Sequence, residues 1–372
     1  MSRAAKYQKI TEWVYNRIAS GEFSDGDRLE SENEIRELFQ VSRQTVRHAF
    51  EILEKEGTIV RVQGSGTYVK EPEESREYPP LSRTVTIITT YADDYIFPRI
   101  LQAMVHTLGK GGYSSRIMFT NNQVETERSL LEGLLQSGSR DPLIVEPVMS
   151  ALPNPNLSCY KELRKAGIPI LFFHSYYPEL DIPHVSMDDE QVGRMATEHL
   201  IAQGHTRIGG IFKADDGQGK RRYAGYLQAM RDAGLKVEGK RICWIDTQEM
   251  REALLFSQRI LERMKDCSAC VCYNDELAHL LTTRVQSAGI LIPQELSLVS
   301  VDNSELARLN QIPLTSVAHP LEVLGVKAAE NMLGLIADPE YDATFEFEGE
   351  IECRKSVVSY NITTQKEKES KT

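Results

Sequence analysis

Short apolar segments alternate with amphipathic segments over most of this chain, from residue 84 to about residue 360. The apolar segments are rich in β-branched residues, and most segments between them have helical periodicity. Such alternation is typical of parallel sheets that carry helices on both faces. About 275 residues are more than one hydrophobic core usually accommodates, so we expect an α/β domain of two doubly wound lobes. The expected strands are Thr84–Thr90, Ser115–Thr120, Leu143–Glu146, Ile168–Phe173, Arg207–Phe212, Arg241–Ile245, Ala269–Tyr273 and Leu298–Val301.

The pattern also indicates how the chain is divided. We expect it to cross from the first lobe to the second near residues 185–191 and to return near residues 316–319. Ahead of the α/β domain, a polar segment with three prolines has no apolar periodicity, which predicts a semi-stiff linker. The expected organisation is a small domain over residues 1–70, a linker over 71–83, the α/β domain over 84–360 and a polar tail over 361–372.

The first seventy residues follow a different pattern, in which serines mark two helix starts. Ser31 and Glu34 have the spacing of a capping box, and Ser42 follows a short turn as the expected cap of the next helix. An earlier amphipathic segment predicts a first helix. On the helix that starts after Ser31, the side chains expected to face inward are Ile35, Leu38 and Phe39.

Two short strands, Thr58–Val62 and Thr67–Val69, are predicted on either side of a glycine-rich tip. Helix, short helix, turn, helix and hairpin is the element order of a winged helix-turn-helix domain. In such domains the second helix of the pair enters the DNA major groove, where Arg and Gln side chains can form bidentate hydrogen bonds with guanine and adenine. We therefore predict that this domain binds double-stranded operator DNA.

The net charge of −11 does not by itself favour a polyanionic partner. However, residues 1–70 contain 11 basic and 11 acidic residues, whereas the remainder contains 32 basic and 43 acidic ones. The first domain is therefore neutral overall. The placement of its basic residues, rather than their number, decides whether it can bind DNA.

Three motifs in this domain resemble those of the GntR family of bacterial DNA-binding regulators. They read Glu30-Ser31-Glu32-Asn33-Glu34-Ile35, Val41-Ser42-Arg43-Gln44-Thr45-Val46-Arg47-His48-Ala49 and Gly64-Ser65-Gly66-Thr67-Tyr68-Val69. Glu30 departs from the family pattern, which usually has proline there. The resemblance implies that the third helix reads the major groove and that the hairpin reaches the minor groove. The residues predicted to contact DNA are Lys6, Glu32, Arg43, Gln44, Thr45, Arg47, Gln63, Gly64 and Gly66.

Polar and aromatic side chains follow several expected strands at their carboxyl ends, where ligands bind in open α/β sheets. A polyhydroxylated ligand needs carboxylates and amides that accept from its hydroxyls, Arg or Lys that donate, and aromatic rings that cover its C–H faces. These positions supply all three, which predicts a small polyhydroxylated effector. Its predicted contacts are Tyr91, Tyr95, Phe97, Glu146, His174, Lys213, Arg222, Asn274 and Asp302.

Several of these positions also have a purely structural interpretation. Asn274 and Asp302 stand where helix N-caps are common, and Asp215-Asp216-Gly217 has the composition of a turn. A single histidine such as His174 is more often a hydrogen-bonded loop residue than a ligand contact. Their concentration at strand ends is what favours a binding cleft.

The α/β domain resembles the effector domain of the LacI/GalR family, which is related to periplasmic sugar-binding proteins. The supporting motifs include Asp188-Asp189-Glu190, Arg222-Tyr223-Ala224-Gly225, Cys272-Tyr273-Asn274-Asp275 and Val299-Ser300-Val301-Asp302-Asn303. The resemblance implies sugar contacts at Arg222, Asn274 and Asp302, with His174 in a position that often makes one.

A GntR-type head joined to a LacI-type body is an uncommon combination, and it resembles the arabinose repressors. The segments Thr89-Thr90-Tyr91 and Ile144-Val145-Glu146-Pro147 are closer to those repressors than to the wider family. This resemblance implies a homodimeric repressor that leaves its operator when L-arabinose binds the α/β domain. The residues alone support only a polyhydroxylated effector, so the same architecture sensing another sugar is an alternative.

A nucleotide-binding α/β enzyme is the rival from another class of protein. No Gly-x-Gly-x-x-Gly motif follows Thr84–Thr90, and Gly219-Lys220 lacks the upstream glycine and the downstream Ser or Thr of a P-loop. No Gly-x-Ser-x-Gly motif is present in the sequence. We therefore expect neither an enzyme nor a cofactor.

A metal site and a membrane span are not expected either. Cys267, Cys270 and Cys272 lie close together, but no second Cys-x-x-Cys or His-x-x-x-His supplies the remaining zinc ligands, and the segment fits a buried strand. No segment approaches the roughly 20 apolar residues that span a bilayer. The N-terminus lacks the apolar core of a signal peptide, which favours a cytoplasmic protein over a transport-type binding protein.

Overall fold

The computed structural model describes residues 3–20, 22–24, 26–55, 57–62, 65–70, 80–91, 95–252 and 257–360, with the backbone alone at residues 3–6, 19 and 257. The predicted tail, and the predicted linker up to residue 79, lie outside the described residues. The chain divides into two compact units, which span residues 1–79 and 80–372. Within the described ranges, no helix is long and apolar enough to cross a membrane.

Unit one contains α1 (Arg3–Ala19), α2 (Glu32–Phe39), α3 (Arg43–Lys55) and the antiparallel strands β1 (Ile59–Val62) and β2 (Gly66–Val69). The predicted capping box is confirmed, because the Ser31 hydroxyl accepts from the backbone N–H of Glu34 at 3.3 Å, and the Glu34 carboxylate accepts from that of Ser31 at 2.7 Å. The Ser42 hydroxyl accepts from the backbone N–H of Thr45 at 3.2 Å, so the second predicted cap is also present. The element order is that of a winged helix-turn-helix domain.

The prediction for Leu38 is wrong, because its exposed fraction is 61%. The inward stripe of α2 runs instead from the fully buried Ile35 to Phe39, one turn further on. The ring of Phe39 packs edge-on against Trp13 of α1, with 5.5 Å between the ring centroids. Leu38 lies beside this stripe and stays in solvent.

Glu30, which departs from the GntR pattern, connects α1 to the start of α2. Its carboxylate accepts from the guanidinium of Arg17 at 2.6 Å. The same guanidinium lies 4.7 Å from the ring centroid of Trp13 and 4.3 Å from that of Phe23. An acid at this corner therefore holds a cation that also covers the aromatic edge of the core.

Unit two is built from alternating strands and helices. Its elements are β3 (Thr84–Thr89), α4 (Phe97–Lys110), β4 (Ser114–Phe119), α5 (Val124–Gln136), β5 (Leu143–Val145), α6 (Leu157–Lys165), β6 (Ile170–His174), β7 (His184–Met187), α7 (Asp189–Ala202), β8 (Ile208–Lys213), α8 (Gly217–Asp232), β9 (Ile242–Ile245), α9 (Thr247–Arg251), α10 (Ser257–Met264), β10 (Ala269–Cys272), α11 (Asp275–Ser287), β11 (Ser297–Asp302), α12 (Glu305–Leu309), β12 (Thr315–Ala318), α13 (Leu321–Ala337), β13 (Phe345–Phe347) and β14 (Glu350–Glu352).

These strands form two six-stranded sheets, which define two lobes. The lobe one sheet has the order β13-β7-β6-β5-β3-β4, and the lobe two sheet has the order β14-β12-β11-β10-β8-β9. Within the described residues, every pairing in these sheets is parallel except that of β12 with β14. This is the predicted doubly wound, two-lobed architecture. The cysteines of β10 are fully buried, as expected for a central strand.

The eight predicted strands are present, with ends shifted by a few residues, but β7, β12, β13 and β14 were not predicted. β13 and β14 read Phe-Glu-Phe and Glu-Ile-Glu and are largely exposed at sheet edges, so they lack the apolar run of a buried strand. β7 and β12 are the last strands before the chain changes lobes. The chain crosses at Asp188, returns near His319, and crosses again near Gly349; the third crossing was not predicted.

Helices α7 and α8 of lobe two pack backbone against backbone. A Cβ atom added at Gly193 would lie 2.0 Å from the carbonyl oxygen of Arg222, and one added at Gly225 would lie 1.9 Å from that of Glu190. Neither position can hold a larger residue without separating the helices. Arg222 is therefore carried on a helix that has no freedom to slide against its neighbour.

Candidate functional site

A cavity of about 170 Å³ lies between the two lobes of unit two. Residues at the carboxyl ends of strands in both sheets line it, as expected for a doubly wound fold. Pockets for drug-sized ligands typically measure about 300–1,000 Å³, so this cavity suits a smaller molecule. The structure brings all nine side chains predicted to contact the effector to this lining: Tyr91, Tyr95, Phe97, Glu146, His174, Lys213, Arg222, Asn274 and Asp302.

Glu146 anchors the lobe one side of the cavity. Its Oε2 accepts from the Thr90 backbone N–H at 2.6 Å and from the Thr89 and Thr90 hydroxyls at 2.8 and 2.7 Å. Its Oε1 lies 3.1 Å from Nδ1 of His174. Burial lowers the pKa of His174, but the hydrogen bond and charge of Glu146 outweigh burial and raise that pKa above its ordinary value. The contact with Glu146 thus fixes the orientation of the His174 ring in the cavity wall.

Arg222 and Asp302 face each other with one unsatisfied atom each. Arg222 is 2% exposed; its Nε donates to Asp189 at 2.9 Å and its Nη1 to the carbonyl of Tyr273 at 2.6 Å. Its Nη2 lies 3.9 Å from Oδ1 of Asp302, which is too far for a hydrogen bond. Among the described residues, neither of these two atoms has a hydrogen-bond partner. A hydroxyl group placed between them can accept from one and donate to the other.

Tyr95 joins the two lobes through its hydroxyl. The hydroxyl donates to Oδ2 of Asp302 at 2.5 Å and accepts from the backbone N–H of Asp275 at 3.2 Å. Burial and the charge of Asp302 raise the pKa of Tyr95 well above its ordinary value, so the group stays protonated. Its hydroxyl is thus occupied by lobe two, and what it offers a ligand is its ring.

Lys213 is held in its charged form next to two aspartates. Its Nζ donates to Asp216 at 2.7 Å and lies 3.9 Å from Asp215. Burial lowers the pKa of Lys213, but the charges of Asp216 and Asp215 raise it above its ordinary value. Asp216 also accepts from the hydroxyl of Tyr273 at 3.2 Å and lines the cavity. The Asp215-Asp216-Gly217 segment, which has the composition of a turn, therefore also contributes Asp216 to the cavity wall.

The alternative structural interpretation holds for Asn274 and fails for Asp302. The Asn274 carboxamide oxygen accepts from the backbone N–H of Leu277 at 2.9 Å, so this residue caps α11 while lining the cavity. Asp302 is the last residue of β11, and Ser304 stands at the N-cap of α12. The Asp302 carboxylate therefore does not cap α12.

Four cavity residues have a left-handed backbone. The φ angles are 56° at Tyr95, 55° at Asn122, 65° at His174 and 103° at Asp302. Residues other than glycine rarely adopt such angles, and those that do are held by the surrounding structure and cluster at functional sites. The backbone at these strand ends is shaped to turn each side chain towards the cavity.

His319 lies next to the cavity and was not predicted, because it follows β12, which the sequence did not indicate. It is 5% exposed, its ring centroid is 5.2 Å from that of His174, and in the described ranges neither ring nitrogen has a hydrogen-bond partner. Burial and the positive charges of His174 and Arg222 lower its pKa well below the ordinary value. The ring is therefore neutral.

Sequence reasoning also missed Asn122, Gln218, Thr247 and Arg251, which line the cavity. Asn122 and Thr247 closely follow β4 and β9, so the strand-end rule that found the other nine side chains could have included them. Gln218 and Arg251 lie on helices, where no local signal distinguishes them from solvated polar residues.

In unit one, Arg43 and Arg47 share the carboxylate of Glu32. Their Nε atoms lie 3.0 and 3.1 Å from its Oε2, and the two arginine side chains are 59% and 53% exposed. Partial burial raises the pKa of Glu32, but the hydrogen bonds from the two arginines lower it below its ordinary value. Glu32 thus holds both guanidinium groups at the solvent face of α3.

The other predicted DNA contacts differ in placement. Gln44 is exposed on α3, whereas Thr45 is 7% exposed and its hydroxyl lies 2.8 Å from that of Ser42. Gly66 has a φ of 141°, which residues with a side chain rarely adopt, so the backbone of β2 already favours glycine there. Gln63, Gly64 and the side chain of Lys6 lie outside the described residues.

Comparisons with known families cover both units. Residues 6–69 match the bacterial regulatory proteins of the gntR family, and residues 197–357 match the periplasmic binding protein-like domain. Among solved structures, the complex of the transcriptional regulator CelR with cellobiose is similar over 85% of this chain and 92% of that one, with a TM-score of 0.65 at 21% identity. The transcription regulator CcpA of Lactococcus lactis is similar over 75% of this chain and all of that one, with a TM-score of 0.66 at 22% identity. These two likenesses establish the fold.

The chain is therefore a bacterial DNA-binding transcription regulator with a GntR-type winged helix-turn-helix head and a LacI-type effector domain, and its partners are operator DNA and a sugar effector. Two curated relatives narrow the class. The arabinose metabolism transcriptional repressor of Geobacillus stearothermophilus is 36% identical over 97% of this chain and 98% of its own length. That of Halalkalibacterium halodurans is 34% identical over 98% of both. The chain belongs to the family of arabinose metabolism transcriptional repressors.

Proposed function

We propose that this protein represses genes of arabinose utilisation and that L-arabinose bound in the cavity releases it from its operator. The observation that carries the proposal is the pair of unsatisfied atoms on Arg222 and Asp302, 3.9 Å apart at the small cavity between the lobes. Buried charged atoms are energetically unfavourable without hydrogen-bond partners. A ligand hydroxyl that bonds to both atoms is therefore strongly favoured over a closed, empty cavity in which they stay unpaired.

The rest of the cavity supports a neutral pentose. Arg222, Lys213 and His174 donate, and their charges are matched by the carboxylates of Asp302, Asp216 and Glu146 at or near hydrogen-bond distance. The rings of Tyr95 and Phe97 supply apolar faces for the sugar C–H groups. The paired charges favour hydroxyl groups, which both donate and accept, over a charged ligand.

In the proposed mechanism, effector binding shifts a population of conformations. A homodimer presents two heads at the spacing of a palindromic operator, where Arg43, Gln44 and Arg47 meet base edges in the major groove. The sugar stabilises the closed lobes, and the change reaches the heads through the dimer-facing surface of lobe one. A hundredfold loss of operator affinity needs about 2.7 kcal/mol of coupling, within the usual allosteric range.

This function requires binding without turnover, in the cytoplasm, where the operator is. A nucleotide-using enzyme is the competing class, and calorimetry separates the two. L-arabinose that binds and is recovered unchanged supports a sensor, whereas formation of a product from it contradicts the proposal.

The direct test is a gel-shift assay with the DNA upstream of the chain's own gene, with L-arabinose or its enantiomer D-arabinose added. We expect L-arabinose at millimolar concentration to abolish the shift and D-arabinose to leave it. The Arg222→Ala variant should bind DNA and ignore L-arabinose, and Arg43→Ala should bind L-arabinose like wild type and the operator about 10–100-fold more weakly. Retention of the shift with L-arabinose, together with release by another sugar, would overturn the effector assignment.

A further inference from the structure

Two contacts between the lobes border the cavity, and of their four residues only Tyr91 was predicted as a ligand contact. Both reach lobe one from α9, the short helix that follows β9 at the edge of the lobe two sheet. Their lobe one partners stand after β3 and β4, at the edge of the other sheet. These contacts thus lie where two corresponding sheet edges approach each other.

The first contact joins Asn122 to Thr247. The Asn122 side-chain amide donates to the Thr247 hydroxyl at 2.7 Å, while its carboxamide oxygen accepts from the backbone N–H of Met149 at 2.9 Å. The Thr247 hydroxyl in turn donates to Asp215 at 2.6 Å. Asn122 is 3% exposed and has a φ of 55°, a left-handed conformation that asparagine tolerates better than most residues. Both members are thus held in place from within their own lobes.

The second contact joins Tyr91 to Arg251. The Arg251 Nη2 donates to the Tyr91 hydroxyl at 2.9 Å, and the guanidinium carbon lies 5.4 Å from the centroid of the Tyr91 ring. A charged donor makes this the stronger kind of hydrogen bond, although Arg251 is exposed. All four residues of the two contacts line the cavity.

We propose that these two contacts, Asn122–Thr247 and Tyr91–Arg251, form a clamp that limits the effector to a single sugar ring and delays its release. This inference rests on the proposed function. The polar atoms of Asn122 and Thr247 are used on each other and on their own lobes, so they close the wall instead of binding the sugar. A cavity of about 170 Å³ is small for two linked sugar rings, and a second ring that leaves it between α9 and lobe one breaks the clamp.

The test compares full-length wild-type protein with the Tyr91→Phe/Arg251→Met double variant and with Asn122→Asp. The first change keeps the ring and the aliphatic stem but removes the donor and the acceptor. Asn122→Asp keeps the bond to Met149 and the tolerance for a left-handed backbone, yet places a carboxylate against a hydroxyl already committed to Asp215. Arg231→Met is the matched control, because Arg231 is exposed at the end of α8 and bonds within lobe two, to Gln228.

The measurements are stopped-flow dissociation of L-arabinose and calorimetric binding of an arabinose disaccharide. We expect wild type to bind the disaccharide at least a hundredfold more weakly than the monosaccharide. Each clamp variant should release L-arabinose about tenfold faster, the size of effect that one lost charge-assisted hydrogen bond produces, and should discriminate less than tenfold between the two sugars. Release rates and discrimination equal to those of wild type and Arg231→Met overturn the clamp.

Failure of the proposed function gives a different result. If wild type binds neither sugar, the effector assignment fails, and the clamp is judged on the ligand-free proteins by small-angle X-ray scattering. A larger radius of gyration for the double variant than for wild type and Arg231→Met then supports the clamp, and equal radii overturn it. Thermal unfolding of every variant verifies that each is folded.

Discussion

The charged residues of the head and those of the cavity are arranged in opposite ways. On α3, Arg43 and Arg47 are 59% and 53% exposed and lean on a single shared carboxylate. In unit two, the side chains of Arg222 and Lys213 are 2% and 9% exposed, and each faces two acids. DNA can come only to an open surface, whereas a small sugar is recognised by being enclosed. Enclosure buries the charges, and buried charges need partners.

This contrast implies that the two sites respond differently to mutation. A contact on the open face of α3 can be removed at the expense of DNA binding alone. A contact in the cavity belongs to a buried network, so its removal affects ligand binding and folding together. The following predictions examine that difference.

The largest effect is expected for Arg222→Met, which keeps the length of the side chain and removes its charge. Asp302 is left buried without its cation and Asp189 keeps only Arg221, at 3.4 Å; breaking a buried pair typically costs about 3–5 kcal/mol of unfolding free energy. Chemical denaturation of wild type, Arg222→Met and Arg43→Met measures this, with Arg43→Met expected within about 0.5 kcal/mol of wild type. Equal losses in the two variants would contradict the contrast.

The second prediction concerns Asp275, whose pKa is raised to about 6 from 3.8 by burial and by the charge of Asp302. The folded protein therefore binds more protons than the unfolded chain between these pH values. Stability from this group is fully present below about pH 4 and falls by up to about 3 kcal/mol as the pH rises to 6. The difference in unfolding free energy between wild type and Asp275→Asn, measured from pH 4 to pH 7, should follow this curve. A difference that does not change with pH would contradict it.

A third prediction addresses the head. Arg43→Ala should weaken operator binding by about 10–100-fold, the worth of a bidentate base contact, with unfolding free energy within about 0.5 kcal/mol of wild type. Fluorescence anisotropy with operator and scrambled DNA measures the loss of discrimination. Arg36→Ala, at an exposed arginine of α2 that pairs with Glu37, is the control and should bind like wild type. If the loss of unfolding free energy in Arg43→Ala is comparable to its loss of binding free energy, the DNA-binding surface of α3 is not independent of folding.

The smallest effect is expected at the start of α2. Ser31→Ala removes the cap from the Glu34 N–H and should cost about 1 kcal/mol of local stability, which corresponds to about fivefold faster amide exchange at Glu34 and Ile35. Hydrogen exchange of the full chain measures it, with Ser20→Ala as the control at the end of α1. Unchanged exchange would mean that the helix is held by its packing alone.

How far sequence reasoning reached depended on how local each signal was. The caps at Ser31 and Ser42 and the alternation of strands and helices are short-range patterns, and the structure confirms them. The strand-end rule brought all nine predicted side chains to one cavity because parallel topology places them together. The strand-end rule did not find His319, because β12 lacks the strong apolar run that would have predicted a strand. That the Tyr95 hydroxyl is committed to the other lobe depends on residues some two hundred positions away, which no local pattern encodes.

The backbone contact between α7 and α8 bears on how regulators of this kind acquire new effectors. Arg222 is delivered by a helix pressed against Gly193, and Gly225 presses back on Glu190, so a change on either side disturbs both helices at once. The contact between α7 and α8 therefore tolerates very little substitution. We expect the guanidinium of Arg222 to keep its position in related regulators. Among the described residues, no glycine contact of this kind involves α9. We therefore expect such regulators to become specific for another sugar by substitutions elsewhere in the cavity wall, including α9, while the arginine keeps its position.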